Sequence, residues 1–203
     1  MLYAPPFVYL PEEDANLDEG KLERSGVDAR IDAYDWLESI VTAIVACILI
    51  FLFVARIVNV DGTSMVPTLH DRDKVVISRI YFHPKQGDIV VLTKRSFSDI
   101  SIVKRIIAVA GQTVDIDFER GEVYVDGVKL NEPYIAELTT RQLDLTFPLT
   151  VPEGCVFCMG DNRNRSTDSR SSRVGMIDTR CILGRVLWRV WPFGDFGAVN
   201  KYA

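Results

Sequence analysis

Three stretches of the chain carry residues able to do chemistry. Ser64 stands in Gly62-Thr-Ser-Met-Val-Pro-Thr-Leu69, a turn-like segment in which Pro67 limits the backbone. A serine hydroxyl is a weak nucleophile until a neighbouring base takes its proton, and serine near proline in a loop is common, so this segment alone says little. Lys104 sits in Ser101-Ile-Val-Lys-Arg-Ile-Ile-Ala-Val-Ala-Gly111, an apolar strand pattern with two adjacent cations. Period-two alternation puts Ile102, Lys104, Ile106 and Ala108 on one face and Val103, Arg105, Ile107 and Val109 on the other. An amine held among apolar neighbours loses hydration, which lowers its pKa and favours the neutral form that can accept a serine proton. The alternative for Lys104 is an ordinary ion pair or a side chain reaching out to water. The third stretch, Gly160-Asp-Asn-Arg-Asn-Arg-Ser-Thr-Asp-Ser-Arg170, is a dense polar run that follows a strand pattern.

The elements that must position these residues are mostly strands. Beyond Val60, short β-branched runs alternate with Gly, Asp and Pro, which predicts strands over Lys74–Ile80, Asp88–Thr93, Ile100–Val109, Thr113–Phe118, Cys155–Met159 and Ile182–Trp191. Asp126-Gly127 between two apolar runs in Glu122–Leu130 predicts a hairpin. Residues 59–203 are thus expected to form one β-rich domain, with 112–151 as a small inserted lobe. Ahead of it, Ile40–Ala55 carries no charge and one hydroxyl, and extending it to 36–58 reaches the roughly 20 residues that span a bilayer. This stretch lacks the polar face of a core helix, and it lacks the basic start and small-residue end of a cleavable leader. It is therefore expected to be a retained membrane helix. Residues 1–35, with Pro5, Pro6 and Pro11 and an acidic excess, are expected to be a largely disordered tail. Lysines and arginines fall on both sides of the span, so charge does not fix its orientation.

Composition removes several classes. The net charge of −5 is concentrated at the start, since Met1–Glu38 holds ten acidic and three basic residues, and nothing interleaves basic and aromatic residues as nucleic-acid binding requires. Four cysteines and two histidines offer no zinc spacing, and no metal or other cofactor is expected. Cys155 and Cys158 form a C-x-x-C that could be redox-active. In an extended strand, though, residues three apart face opposite ways roughly 10 Å from one another, which favours simple packing. His70, six residues from Ser64 along a turn, has no evident third group with which to build a Ser-His-Asp arrangement.

Ser64-Met-Val-Pro-Thr-Leu, Gly87-Asp-Ile-Val-Val, Lys104-Arg-Ile-Ile-Ala-Val-Ala-Gly and the Gly160–Arg170 run occur in that order after one apolar segment. Together with Gly184-Arg-Val-Leu-Trp-Arg-Val-Trp-Pro they resemble the ordered boxes of the type I signal peptidases, from the span to the C-terminus. The resemblance implies a membrane-anchored serine endopeptidase that removes signal peptides from pre-proteins, with Ser64 as nucleophile and Lys104 as base. It further implies Ser166 orienting the lysine, Asp168 and Arg170 as a supporting charge pair, and Asp161 organising its turn. Substrates would carry small residues at the first and third positions before the cut and bind as an added strand. Val60, Met65, Leu69, Ile102 and Val103 are the candidate subsite walls, each as readily read as core. The implied partners are pre-protein signal peptides and the lipid bilayer, for a monomer that associates with the export machinery, its N-terminus cytoplasmic and its catalytic domain outside.

This sequence departs from the family pattern at Asn164-Arg165, where the last box commonly reads Asp-Asn. It departs again at Gly62, where some relatives place a serine that assists the oxyanion; here the backbone N–H of Ser64 is expected to serve instead. Lysine rather than histidine at 104 resembles the bacterial branch. Self-cleaving repressors also pair serine with lysine, but they need a DNA-binding or partner region where this chain has an apolar segment. An anchored binding module that had lost activity would not be expected to keep Ser64, Lys104, Ser166, Asp168 and Arg170 together.

Overall fold

The structure of the protein, a computed structural model, describes residues 33–49, 55–80, 82–93 and 101–199. Residues 33–49 form a helix, α1, whose large apolar side chains, Ile40, Ile44 and Ile48 among them, are exposed. Among the described residues no helix is long and apolar enough to cross a membrane. The expected 36–58 span runs on from α1 into 50–54, which lie outside the described residues, as does most of the expected tail. The end of that span needs correction: Arg56–Asn59 is strand β1, paired with β2 from Arg56↔Ile77 to Asn59↔Lys74. Ile57 and Val58 are β-branched, and their hydropathy extended the apparent span although their backbone belongs to the sheet.

The strands that follow are β2 (Lys74–Ser78), β3 (Ile89–Leu92), β4 (Ile102–Val109), β5 (Thr113–Asp117), β6 (Glu122–Val125), β7 (Val128–Lys129), β8 (Leu149–Thr150), β9 (Cys155–Met159), β10 (Ile177–Asp178), β11 (Ile182–Trp191) and β12 (Gly197–Ala198). They build two antiparallel sheets. The larger runs β1-β2-β11-β3-β4-β9-β10, with β12 added to β11, and the smaller runs β7-β6-β5-β8. The smaller sheet is closed by the Asp126-Gly127 turn, where both residues take positive φ, 52° and 78°, as a two-residue hairpin demands.

Both faces of the larger sheet are covered, which is why β3 reads as four consecutive apolar residues, all buried. Ile89 and Val91 point into one cluster with Val60, Met65, Leu69, Val75 and Val103, while Val90 and Leu92 join a second with Ile106, Val156 and Cys158. A third cluster, with Phe157, Val114 and Val123, lies between β4–β9 and the smaller sheet. The alternation expected along β4 breaks at Ile107. The β4–β9 register shifts between Ile106 and Ala108, so Ile107 and Ala108 share the third cluster while Val109 turns to the second.

Candidate active site

Ser64 lies in the turn between β1 and β2. Gly62 takes φ +88°, a left-handed conformation that suits a residue without Cβ, and its N–H donates to Asp71 Oδ1 at 2.7 Å. Below the turn, Met65 and Leu69 anchor it in the core at 1% and 0% exposure. Lys104 reaches it from β4: Nζ donates to Ser64 Oγ at 2.7 Å and to the carbonyl of Val103 at 3.0 Å. The lysine is 4% exposed. Burial lowers its pKa, outweighing the opposing fields of Asp168, Cys158 and Asp161.

The polar run that begins at Gly160 closes over the pair. Gly160 permits the closeness: a Cβ built there would lie 2.4 Å from both Ser166 Oγ and the carbonyl oxygen of Ser64. Asn162 then clamps the Ser64 turn, its N–H donating to the Ser64 carbonyl and its Nδ2 to the Thr63 carbonyl, each at 3.0 Å. Asp161 joins all three segments. It accepts from Arg105 Nε at 2.8 Å and Nη2 at 2.7 Å, and from Thr68 Oγ1 at 2.5 Å. Arg105 also donates to the Gly87 carbonyl and lies 3.8 Å from the centre of the Tyr134 ring. An ion pair with both members at 0% exposure is held by geometry, since neither charge has water to fall back on.

Asp168 and Arg170 form a second fully buried pair, Nε to Oδ1 at 2.8 Å and Nη2 to Oδ2 at 2.9 Å. Burial would raise the Asp168 pKa. The hydrogen bonds and charge of Arg170 and the Gly160 N–H reverse that and leave it below the ordinary carboxylate value. Among the described residues Ser166 Oγ, fully buried, has no hydrogen-bond partner, and the hydrogen bonds of Lys104 go to Ser64 and Val103 instead.

Of the expected subsite residues, Val60, Met65, Leu69 and Val103 share one core cluster and expose 7% or less, while Ile102 is half-buried against the opposite cluster. His70 is exposed. Sequence reasoning left without roles the residues that tie the lobe to the Gly160–Arg170 run. Glu132 binds Arg163 through two oxygens, and Asn164 Oδ1 accepts from the N–H groups of Thr140 and Arg141. The density of charge in the run is the one sequence signal that pointed their way.

The family model described as signal peptidase, peptidase S26, matches residues 33–191. The chain belongs to the signal peptidase family. It is 34% identical to signal peptidase I of Bacillus licheniformis over 183 residues, covering 85% of this chain and 96% of that one. It is 33% identical to signal peptidase I S of Bacillus subtilis (strain 168), covering 88% and 100%, and 33% identical to signal peptidase IB of Staphylococcus aureus, covering 80% and 91%. A crystal structure of a signal peptidase I from Enterococcus faecalis V583 matches with a TM-score of 0.44 and 32% identity, covering 51% of this chain and 97% of that one. The protein is accordingly a serine endopeptidase of the type I signal peptidase kind, and signal-peptide removal is its reaction.

Proposed function

We propose that this signal peptidase cuts with Ser64 as nucleophile and Lys104 as general base. The observation that carries the reading is the 2.7 Å contact between Lys104 Nζ and Ser64 Oγ, made by an amine whose burial favours the neutral form. Neutral Nζ takes the hydroxyl proton as Oγ bonds to the scissile carbonyl carbon. The developing oxyanion is held by the backbone N–H of Ser64. The ammonium returns its proton to the departing amine, leaving an acyl-enzyme. The lysine, neutral again, then deprotonates the water that frees the signal peptide.

The substrate binds as an extended strand along Ile102–Lys104. Among the described residues this half of β4 pairs only with β3, because the β9 ladder begins at Arg105, so its other edge can take an added strand beside Ser64. Val60, Met65, Leu69 and Val103 form an apolar floor with little open surface, which suits small side chains before the cut. Asp161 holds the Ser64 turn through Thr68 and β4 through Arg105, while Asp168 and Arg170 hold the run that closes over them, with Ser166 packed beside the site. The segment 36–55 anchors the monomer in the bilayer, N-terminus inside and catalytic domain outside, near the export machinery.

The test uses the detergent-solubilised chain with a pre-protein carrying small residues at −3 and −1. Ser64→Ala and Lys104→Met should each abolish cleavage, and equal cleavage by all three proteins refutes the dyad. Activity of the parent should climb with pH as Lys104 loses its proton, with a midpoint below the ordinary lysine value of 10.5. A profile that stays flat from neutral to alkaline pH removes lysine as the base.

A further inference from the structure

We infer that the cavity bounded by Pro67, Thr68, Tyr134, Gly194, Phe196 and Gly197 receives the first residues of the mature protein, on the far side of the cut from the signal peptide. The inference rests on Ser64 being the nucleophile. An extended substrate running along Ile102 and Val103 presents its carbonyl where Lys104 meets Ser64, and its remaining length must continue past that point. β4 itself gives the direction, since Arg105 follows Lys104. Tyr134 stacks on Arg105, and Thr68 is bonded to the same Asp161 carboxylate that holds Arg105, so the cavity they wall lies on the Arg105 side of the dyad.

Its dimensions and surface fit a peptide. The volume is about 430 Å³, within the usual range of ligand pockets, about 300–1,000 Å³. The walls mix the rings of Pro67, Tyr134 and Phe196 with the polar groups of Thr68, Arg189 and Asp195. Gly197 belongs to β12, which among the described residues pairs with β11 alone, so its outer edge can hydrogen-bond an extended chain. A Cβ added at Gly194 or Gly197 meets nothing within 4 Å, so the backbone there stands open and accommodates bulk. Where the floor before the cut is closed and demands small side chains, this side is roomy, and tolerance of varied mature N-termini follows from that.

The same openness makes a clean experiment. Gly194→Leu and Gly197→Leu place a side chain in open space, so the thermal midpoint of the full chain should be unchanged. Two peptides identical up to the cut are compared, one with alanines and one with leucines at the first three positions after it. In the glycine variants the ratio of kcat/KM, leucine peptide over alanine peptide, should fall about tenfold, the scale on which a pocket separates side chains by size. Phe196→Ala, a change at a side chain 64% exposed, should raise KM for the leucine peptide more than for the alanine peptide. A ratio unchanged in all three variants overturns the inference while leaving the dyad intact. If Ser64→Ala cleaves the alanine peptide as the parent does, the nucleophile assignment falls and this inference with it.

Discussion

Asp161→Ala removes the carboxylate on which the Ser64 turn, β4 and the Gly160–Arg170 run converge. It strands the Arg105 guanidinium at 0% exposure with the Gly87 carbonyl and the Tyr134 ring as its remaining partners, and it frees Thr68 Oγ1. Breaking one side of a buried pair costs about 3–5 kcal/mol, because the remaining charge stays desolvated. At roughly 3 °C per kcal/mol for a domain of this size, the thermal midpoint should drop by about 12 °C. Replacing both partners with apolar residues, Arg105→Met with Asp161→Leu, should recover most of that loss, since no buried charge is left over. Thermal unfolding of the parent, Arg105→Met, Asp161→Leu and the double variant in one detergent gives the cycle, with Asp161→Ala measured beside them. A cost for Asp161→Ala under about 1 kcal/mol, or a double variant as unstable as the single ones combined, would show that the guanidinium is satisfied some other way.

Two more outcomes follow from the geometry. Gly160→Ala should abolish cleavage, because the new methyl would overlap the Ser64 carbonyl and Ser166 Oγ at 2.4 Å and push the nucleophile turn off Lys104; near-parental turnover in a pre-protein assay would contradict that closeness. Lys104→Met should be more stable than the parent at neutral pH. The lysine pKa is lowered on folding, so between its folded value and 10.5 the unfolded chain holds the extra proton and parental stability rises with pH; the advantage of the variant should shrink toward 10.5, and denaturant titrations across pH that show no such convergence would refute it.

Much of this was legible in the sequence wherever one segment carries its own pattern. The runs at Lys74, Asp88, Ile100 and Ile182 announced β2, β3, β4 and β11 because each is long enough to show β-branched enrichment, and Asp126-Gly127 announced its hairpin because the turn demands those residue types. The two-residue strands β8, β10 and β12 have no period to detect. β1 was hidden by its neighbours, since hydropathy does not distinguish Ile57 and Val58 in a sheet from the same residues in a membrane. The bulge at Ile107 depends on what β9 offers opposite it. At the site, Lys104 and Ser64 could be named, but the partner of Arg105 could not: Asp161 is 56 residues away, and like the Glu132–Arg163 pair it is chosen by the fold.

The clamp formed by Asn162 carries a consequence for when activity can arise. Its side chain grips the Thr63 carbonyl across 99 residues of chain, and Lys104 meets Ser64 across 40. Contacts that close such long loops form late, after the local hairpins that cost less entropy to assemble. A chain still emerging, with Ser64 and Lys104 already made but residues 160–170 absent, has a serine and a lysine and no site. If Ser64 and Lys104 are the dyad, activity therefore requires the domain to be folded through residues 160–170.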